Sequence, residues 1–123
     1  MRIEALLRVT DGPFVCERLG NPAYPQNVGK LRCVGGRSDG PAELPAETIM
    51  RELLEEFGIT LCREDISSEI PLFDRIGVRR FKVAVPADVI GRCSIEQDGT
   101  QLVAIQFAEI PIAWSYDDWK QDG

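Results

Sequence analysis

Three glutamates lie close together in the segment from Glu43 to Ile59. Glu52, Glu55 and Glu56 occupy positions i, i+3 and i+4, which places their side chains on one face of a helix. Like charges at this spacing repel, and carboxylates in a last helical turn oppose the helix dipole, each at a cost of about 0.3–1 kcal/mol. A divalent cation would turn this repulsion into coordination, because hard cations take carboxylate oxygens. The spacing therefore predicts a metal site.

The element that must carry these glutamates is a helix, predicted from about Ala46 to Phe57. Gly58 is well suited to end it, because glycine readily takes the left-handed conformation that follows many helices. The apolar residues fall on one broad side, away from the glutamates. They are Ala46, Ile49, Met50, Leu53, Leu54 and Phe57.

Strands are predicted on both sides of this helix. Alternation of apolar and polar residues indicates a hairpin of residues 2–9 and 14–18, and a short strand at 31–34 that runs into Gly35-Gly36. Loops are expected at 19–29 and 37–45. Further strands are predicted at 69–74, 78–85 and 102–110, the first at a sheet edge because it contains Pro71. The pattern indicates a mixed α/β (α+β) domain with helix layered on sheet.

Length, composition and charge narrow the class of protein. The 123 residues, 44% hydrophobic and 28% charged, suit a single domain spanning residues 1–123. The apolar runs are too short to cross a membrane and the N-terminus lacks signal-peptide features, so we expect a cytoplasmic protein with no membrane partner. The net charge of −6 argues against a nucleic-acid polymer as partner, because such binding depends on Lys and Arg.

Histidine is absent, and the four cysteines are widely spaced. Acid–base chemistry must therefore fall to carboxylates, lysine, tyrosine or metal-bound water. The cysteines contain no C-x-x-C pair, which argues against structural zinc and favours reduced thiols, mostly in the core. They are Cys16, Cys33, Cys62 and Cys93.

The helix segment resembles the signature of the Nudix hydrolases, GX5EX7REUXEEXGU, in which U is a bulky aliphatic residue. Every fixed position from Glu43 to Ile59 matches, but Arg37 stands where the pattern has its first glycine, and Gly36 lies one residue earlier. The loop before Glu43 is thus one residue longer than the pattern. The resemblance implies a mixed sheet sandwiched between helices. It also implies hydrolysis of a diphosphate linkage in a small nucleotide by water activated by Mg²⁺ or Mn²⁺. Many members of the family dimerise, so a homodimer is compatible with it.

The resemblance also assigns roles to individual residues. Glu55 and Glu56 match the principal metal ligands, and Glu52 matches a position that is a ligand or a base. Arg51 matches an arginine that orients a glutamate, and the i,i+4 spacing from Arg51 to Glu55 agrees with this role. Glu43 matches a loop-anchoring acid. The carbonyl of Gly35 or Gly36 matches a backbone metal ligand.

Other candidate site residues rest on weaker signals. Glu96 or Asp98 is a candidate for an additional acid, although solvated acids in an Asp-Gly turn are an equally good interpretation. Arg37, Arg80 and Lys82 are candidates for phosphate binding, against the alternative of surface charge on an exposed strand. Aromatic residues are candidates for stacking on a base, but such residues near a chain end more often close the core. They are Tyr24, Trp114 and Trp119.

Three functions are compatible with these residues. The first is an active pyrophosphohydrolase for a nucleoside triphosphate or a nucleoside diphosphate linked to another group. The second is a Nudix-like module that binds a nucleotide without turnover, which the altered glycine loop favours. The third is an enzyme that processes RNA ends, which the net charge disfavours.

Overall fold

The strands form one mixed sheet with the central strand β1 (Arg2–Val9) at its middle. The computed structural model describes residues 2–72, 77–95 and 98–105. In that part of the chain β1 runs antiparallel to β2 (Phe14–Arg18) and β4 (Val34–Arg37), and parallel to β6 (Val78–Val85). The remaining strands are β3 (Leu31–Arg32), β5 (Ser68–Pro71) and β7 (Gln101–Ile105), which pair with β2, β6 and β2 respectively. The predicted mixed sheet is confirmed.

The helix α1 (Pro45–Phe57) packs across one face of this sheet, close to its predicted limits. Pro45 stands at the first helical position, and Gly58 ends the helix with φ 65°. Ile49, Leu53 and Phe57 are buried against the apolar side chains of β1 and β6. Leu54 is half exposed, so the buried stripe is narrower than the predicted apolar side.

The segment between β2 and α1 differs from its prediction. The strand predicted at 31–34 is broken at Cys33, where pairing passes from β2 to β1. β4 then continues through both glycines, and Arg37 still pairs with Arg2. A loop beginning at Arg37 is therefore wrong, because pairing with β1 extends the strand by one residue. The edge strand predicted at 69–74 is confirmed over Ser68–Pro71, which pairs with β6 alone among the described strands. Leu72 is not part of the strand, and residues 73–74 lie outside the described residues.

Two cysteines lie in the core and two at the surface. Cys16 and Cys33 are buried, whereas Cys62 and Cys93 are exposed, so the expectation that most cysteines belong to the core holds for only half of them. All four are free thiols. In the described part of the chain no helix is long and apolar enough to cross a membrane. The predicted strand residues 106–110 and the tail with Trp114 and Trp119 lie outside the described residues.

Candidate active site

Glu52 is held against the strand that carries the paired glycines. A Cβ atom on Gly36 would lie 2.7 Å from the Cγ atom of Glu52 and would overlap its carboxylate. The side chain of Glu52 is only 13% exposed. Gly36 therefore allows the helix to bring the Glu52 carboxylate directly onto the backbone of β4, whereas a Cβ atom on Gly35 would meet the Ile3 carbonyl and Glu4 of β1.

Arg51 joins three acids of the helix motif. Its Nη1 atom lies 3.2 Å from Glu52 Oε1 and 3.6 Å from Glu55 Oε2, while its Nε and Nη2 atoms each donate to Glu43 at 3.1 Å. Nη2 also donates to the carbonyl of Arg37 at 2.7 Å. The guanidinium of Arg51 therefore links α1 to the last residue of β4 and to the loop between β4 and α1.

Glu43 is the principal acceptor for that loop. In addition to Arg51, its Oε1 atom accepts hydrogen bonds from the Asp39 backbone N–H at 2.8 Å and from the buried Thr48 hydroxyl at 2.6 Å. These hydrogen bonds to the ionised form lower the pKa of the Glu43 carboxyl to about 2. The carboxylate thus fixes the start of the loop to the first turns of α1.

Glu56 points toward a different environment from Glu52 and Glu55. Its Oε2 atom is buried and, among the described residues, has no hydrogen-bond partner. Burial, followed by the negative charges of Glu17 and Glu52, raises the pKa of its carboxyl to about 7. A carboxylate in this position gains strongly from any cation that reaches it, because a nearby positive charge favours the ionised form.

The pocket that Glu56 faces, here called the acidic pocket, has a volume of about 200 Å³. Its described lining contains three carboxylates, from Glu17, Glu56 and Asp98, and one guanidinium, from Arg32. The rest of the described lining is amide, hydroxyl, aromatic and aliphatic. These residues are Leu19, Asn21, Tyr24, Asn27, Phe57 and Thr100.

Glu17 and Arg32 are absent from the site residues predicted above. They are opposed residues on β2 and β3, and Arg32 Nη2 donates to Glu17 Oε1 at 3.1 Å. Glu17 is only 2% exposed, and burial raises the pKa of its carboxyl despite the ion pair. One signal could have found it: alternation places Glu17 on the same strand face as the core residue Val15.

The weaker candidates have different positions. Asp98 lies in the acidic pocket, in a turn whose Gly99 is held so close to Gly20 that a Cβ atom on Gly20 would lie 2.7 Å from the Gly99 carbonyl carbon. Tyr24 lines the same pocket and is 58% exposed. Glu96 lies outside the described residues.

The three basic candidates do not meet at the glutamates. Arg80 is 2% exposed and lies 3.6 Å from the buried carboxylate of Glu4, so the expectation of surface charge is wrong for this residue. Glu4 is directly opposite Arg80 in the pairing of β1 with β6, which brings the two side chains together. Lys82 lines a separate groove. Arg37 is exposed at the end of β4, where its carbonyl binds Arg51.

The carboxylates are not gathered into a finished metal site. Within residues 2–72, 77–95 and 98–105, no three Cys, Asp or Glu side chains are close enough together to hold a metal ion. Glu52 and Glu55 both contact Arg51 instead. The oxygen donors are nevertheless of the type that Mg²⁺ and Mn²⁺ prefer, and the buried, unpartnered Oε2 atom of Glu56 fits such an ion.

Several solved structures have the same architecture as this chain. A MutT protein from Methanosarcina mazei is 25% identical with a TM-score of 0.52, over 98% of this chain and 89% of that one. A mutT/nudix family protein from Listeria innocua is 21% identical with a TM-score of 0.61, over 98% and 88%. An Ap4A hydrolase from C. elegans is 15% identical with a TM-score of 0.60, over 98% and 94%.

Comparisons that use only the amino-acid sequence find no relative of this chain. No protein-family model matches the chain, and no curated protein matches it. The structural matches nevertheless extend over nearly the whole chain and agree with the motif from Glu43 to Ile59. The chain has the fold of the Nudix hydrolases.

Proposed function

We propose that the chain is a metal-dependent pyrophosphohydrolase that cleaves a diphosphate linkage in a small nucleotide, and that residues 1–123 form its single domain. The observation that carries the proposal is the buried, unpartnered carboxylate oxygen of Glu56, which faces the acidic pocket beside Glu52. The MutT and Ap4A hydrolase names of the structural neighbours support the same class of reaction.

The residues that would hold a divalent cation are Glu52, Glu55 and Glu56, with a backbone carbonyl of Gly35 or Gly36. When bound, such an ion would supply charge neutralisation of the diphosphate and a water of lowered pKa. Glu55 must leave Arg51 to join this set, and its side chain is 56% exposed and has room to do so. One carboxylate of the three must also accept the proton of the attacking water.

Arg51 and Glu43 have a positioning role in this proposal. Arg51 holds Glu52 within 3.2 Å while Glu43 binds the other side of the guanidinium. Because Glu43 also accepts the backbone N–H of Asp39, the longer loop is fixed to the helix despite its extra residue. The arrangement keeps Glu52 against Gly36 before any ligand arrives.

The test is a metal-dependent screen of the purified protein against nucleoside triphosphates, dinucleoside polyphosphates, ADP-ribose, NADH and nucleotide sugars. With Mg²⁺ or Mn²⁺ we expect release of phosphate, pyrophosphate or a nucleoside monophosphate from at least one of them. EDTA should abolish the release. Absence of product from the whole panel would overturn the proposal.

A module that binds nucleotides without turnover is the second candidate. It is favoured by one observation, that Glu52 and Glu55 are both engaged by Arg51. In that case the nucleotides of the panel should raise the melting temperature of the protein while no product forms, since a ligand that binds only the folded state stabilises it. Product formation would exclude this candidate.

A further inference from the structure

A second concave surface lies where β1, β5 and β6 meet. This surface, here called the basic groove, has a volume of about 350 Å³ and shares no described lining residue with the acidic pocket. Its described lining carries two cations, one carboxylate and three hydroxyl groups. These residues are Arg8, Val9, Thr10, Asp11, Ser67, Ser68, Lys82 and Ala84.

The two cations project from the same face of the sheet. Leu6 is opposite Lys82 and Arg8 is opposite Ala84 in the parallel pair of β1 and β6. Side chains two residues apart on a strand share a face, so Arg8 and Lys82 are diagonal neighbours. Both side chains line this groove, on a chain whose net charge is −6.

Lys82 is half-buried and has no acidic partner among the described residues. Most charged side chains that lose part of their hydration are paired, because desolvation of an unpaired charge is costly. The neighbouring Arg80 on the same strand follows that rule, since it lies 3.6 Å from Glu4. Lys82 thus keeps its donors for a group that is not one of these side chains.

Arg8 is held in place with part of its guanidinium unused. Its Nε atom donates to the Gly12 carbonyl at 3.3 Å, and its guanidinium carbon lies 5.0 Å from the centre of the Phe14 ring. Among the described contacts, its Nη1 and Nη2 atoms have no acceptor. An ordered guanidinium with free donors is suited to a planar or tetrahedral oxyanion.

Hydroxyl groups complete the other side of the groove. Thr10 Oγ1 lies 3.4 Å from Ser67 Oγ, and Ser68 follows at the start of β5. Asp11 is the single carboxylate of the described lining, so the two cations leave a net positive charge of one. Hydroxyl and cationic donors without a cluster of acids are the chemistry that binds phosphate.

We propose that the basic groove binds a small phosphate-type oxyanion, with Lys82 and Arg8 as its cationic donors and Ser67, Ser68 and Thr10 as hydroxyl donors. The groove is distinct from the glutamate site. Gly36 is opposite Ile3 on β1, and Arg8 lies five residues further along that strand, about 17 Å away at ~3.3 Å per residue. The ligand of the groove is therefore not the group attacked at the glutamates.

The test is calorimetric titration of the metal-free protein, in EDTA, with inorganic phosphate, pyrophosphate and AMP. We expect saturable binding at one site, weakened at least tenfold by Lys82→Gln and by Arg8→Gln. Arg79→Gln is the matched control, because Arg79 is exposed on the opposite face of β6 and its loss changes the net charge equally. Equal weakening in all three variants, or no saturable binding to the unmodified protein, would overturn the proposal.

Three further measurements distinguish loss of the site from loss of the fold. Circular dichroism of each variant separates loss of binding from loss of fold, and Lys82→Arg should restore binding to within about threefold because it keeps the charge. Amide chemical shifts should move at Arg8, Ser67 and Ser68 on addition of phosphate; shifts confined to the acidic pocket would contradict the assignment. AMP binding as tight as phosphate indicates that a phosphate monoester is accepted, whereas phosphate alone indicates the free ion. Because metal is absent, the result is independent of the proposed hydrolysis.

Discussion

The acidic pocket and the basic groove differ in the sign of their charged side chains and in how deeply those side chains are buried. In the pocket, the buried Glu17 is paired with the half-buried Arg32, and burial raises the pKa of the neighbouring Glu56 to about 7. In the groove, Lys82 is half-buried and Arg8 is exposed, and neither pairs with a described carboxylate. Carboxylates that lie together at low hydration favour a bound cation, whereas neighbouring cations near the surface favour a bound anion. The charged side chains of the two regions thus differ in burial as well as in the sign of their charge.

The largest expected effect comes from neutralising the acid that defines the pocket. Glu56→Gln should lower kcat/KM for the substrate found in the screen by at least ~100-fold, because it removes a carboxylate ligand or proton acceptor at nearly constant volume. Steady-state kinetics with Mn²⁺ measure the effect. Glu64→Gln, at an exposed position outside the pocket, should stay within about twofold. A Glu56→Gln enzyme with more than half the original activity would remove Glu56 from the mechanism.

Adding a methyl group at Gly36, where α1 contacts β4, should have a smaller effect, which we expect in the affinity for Mn²⁺. In Gly36→Ala, the added methyl group takes the space of the Glu52 carboxylate, which must swing away. We expect Mn²⁺ affinity to fall about tenfold, in the range seen when groups that orient metal ligands are lost. The free energy of unfolding should change by less than ~1 kcal/mol, since the end of a flexible side chain can move.

Gly91→Ala is the matched control for that variant, because no atom lies within 4 Å of the added methyl group. Manganese titration followed by electron paramagnetic resonance gives the affinity, and urea denaturation gives the stability. If Gly36→Ala bound Mn²⁺ as tightly as the unmodified protein, Glu52 would not need its position against β4.

The hydrogen bonds of the Glu43 carboxylate should make a modest contribution to the free energy of unfolding, and this contribution should depend on pH. Glu43 has a pKa of about 2 in the folded protein against an ordinary value of 4.5, so the unfolded chain binds more protons between these values. The stability that Glu43 contributes is fully present above pH 4.5 and is lost as the pH falls toward 2. Glu43→Gln should therefore be less stable than the unmodified protein at pH 7, and the difference should shrink on acidification.

Thermal melts at steps between pH 7 and pH 2 test this expectation. As the pH falls, the melting temperature of the variant should decrease less steeply than that of the unmodified protein. A melting-temperature difference that stays constant over this range would show that Glu43 acts through its shape and not through its charge.

The smallest expected effect is a difference in salt sensitivity between the two regions. The cations of the basic groove are close to solvent, and the screening length falls from about 10 Å at 0.1 M salt to about 3 Å at 1 M. Phosphate binding should weaken several-fold over this range, whereas Mn²⁺ binding at the partly buried Glu56 should change less. Calorimetry at the two salt concentrations measures the affinity for each ligand. An equal loss of affinity for phosphate and for Mn²⁺ would contradict the difference in burial.

Much of the fold follows from local sequence patterns. The helix limits, the hairpin of β1 and β2 and the strand β6 are set by periodicity and by Gly58, all of which act within a few residues. The end of β4 is different, because its extension to Arg37 depends on pairing with Arg2, far away in the chain. No property of residues 34–37 alone distinguishes that strand from a loop.

The candidate site divides in the same way. Glu43, Arg51, Glu52, Glu55 and Glu56 lie within one short segment, so spacing and family resemblance are enough to select them. Glu17 and Arg32 enter the pocket through the register of β2 and β3, and Arg80 meets Glu4 through the register of β6 with β1. Such residues are found only when the partners of each strand are known.

The parallel pairing of β1 with β6 has a consequence for how the protein is made. Arg2 must find Val78, and Val9 must find Val85, before the central strand has neighbours along its whole length. Contacts so distant in the chain close slowly, because the entropy of a long loop is lost before the contact forms. While the ribosome is still adding β6, one edge of the first strand is unpaired, and such an edge can pair with another chain and lead to aggregation.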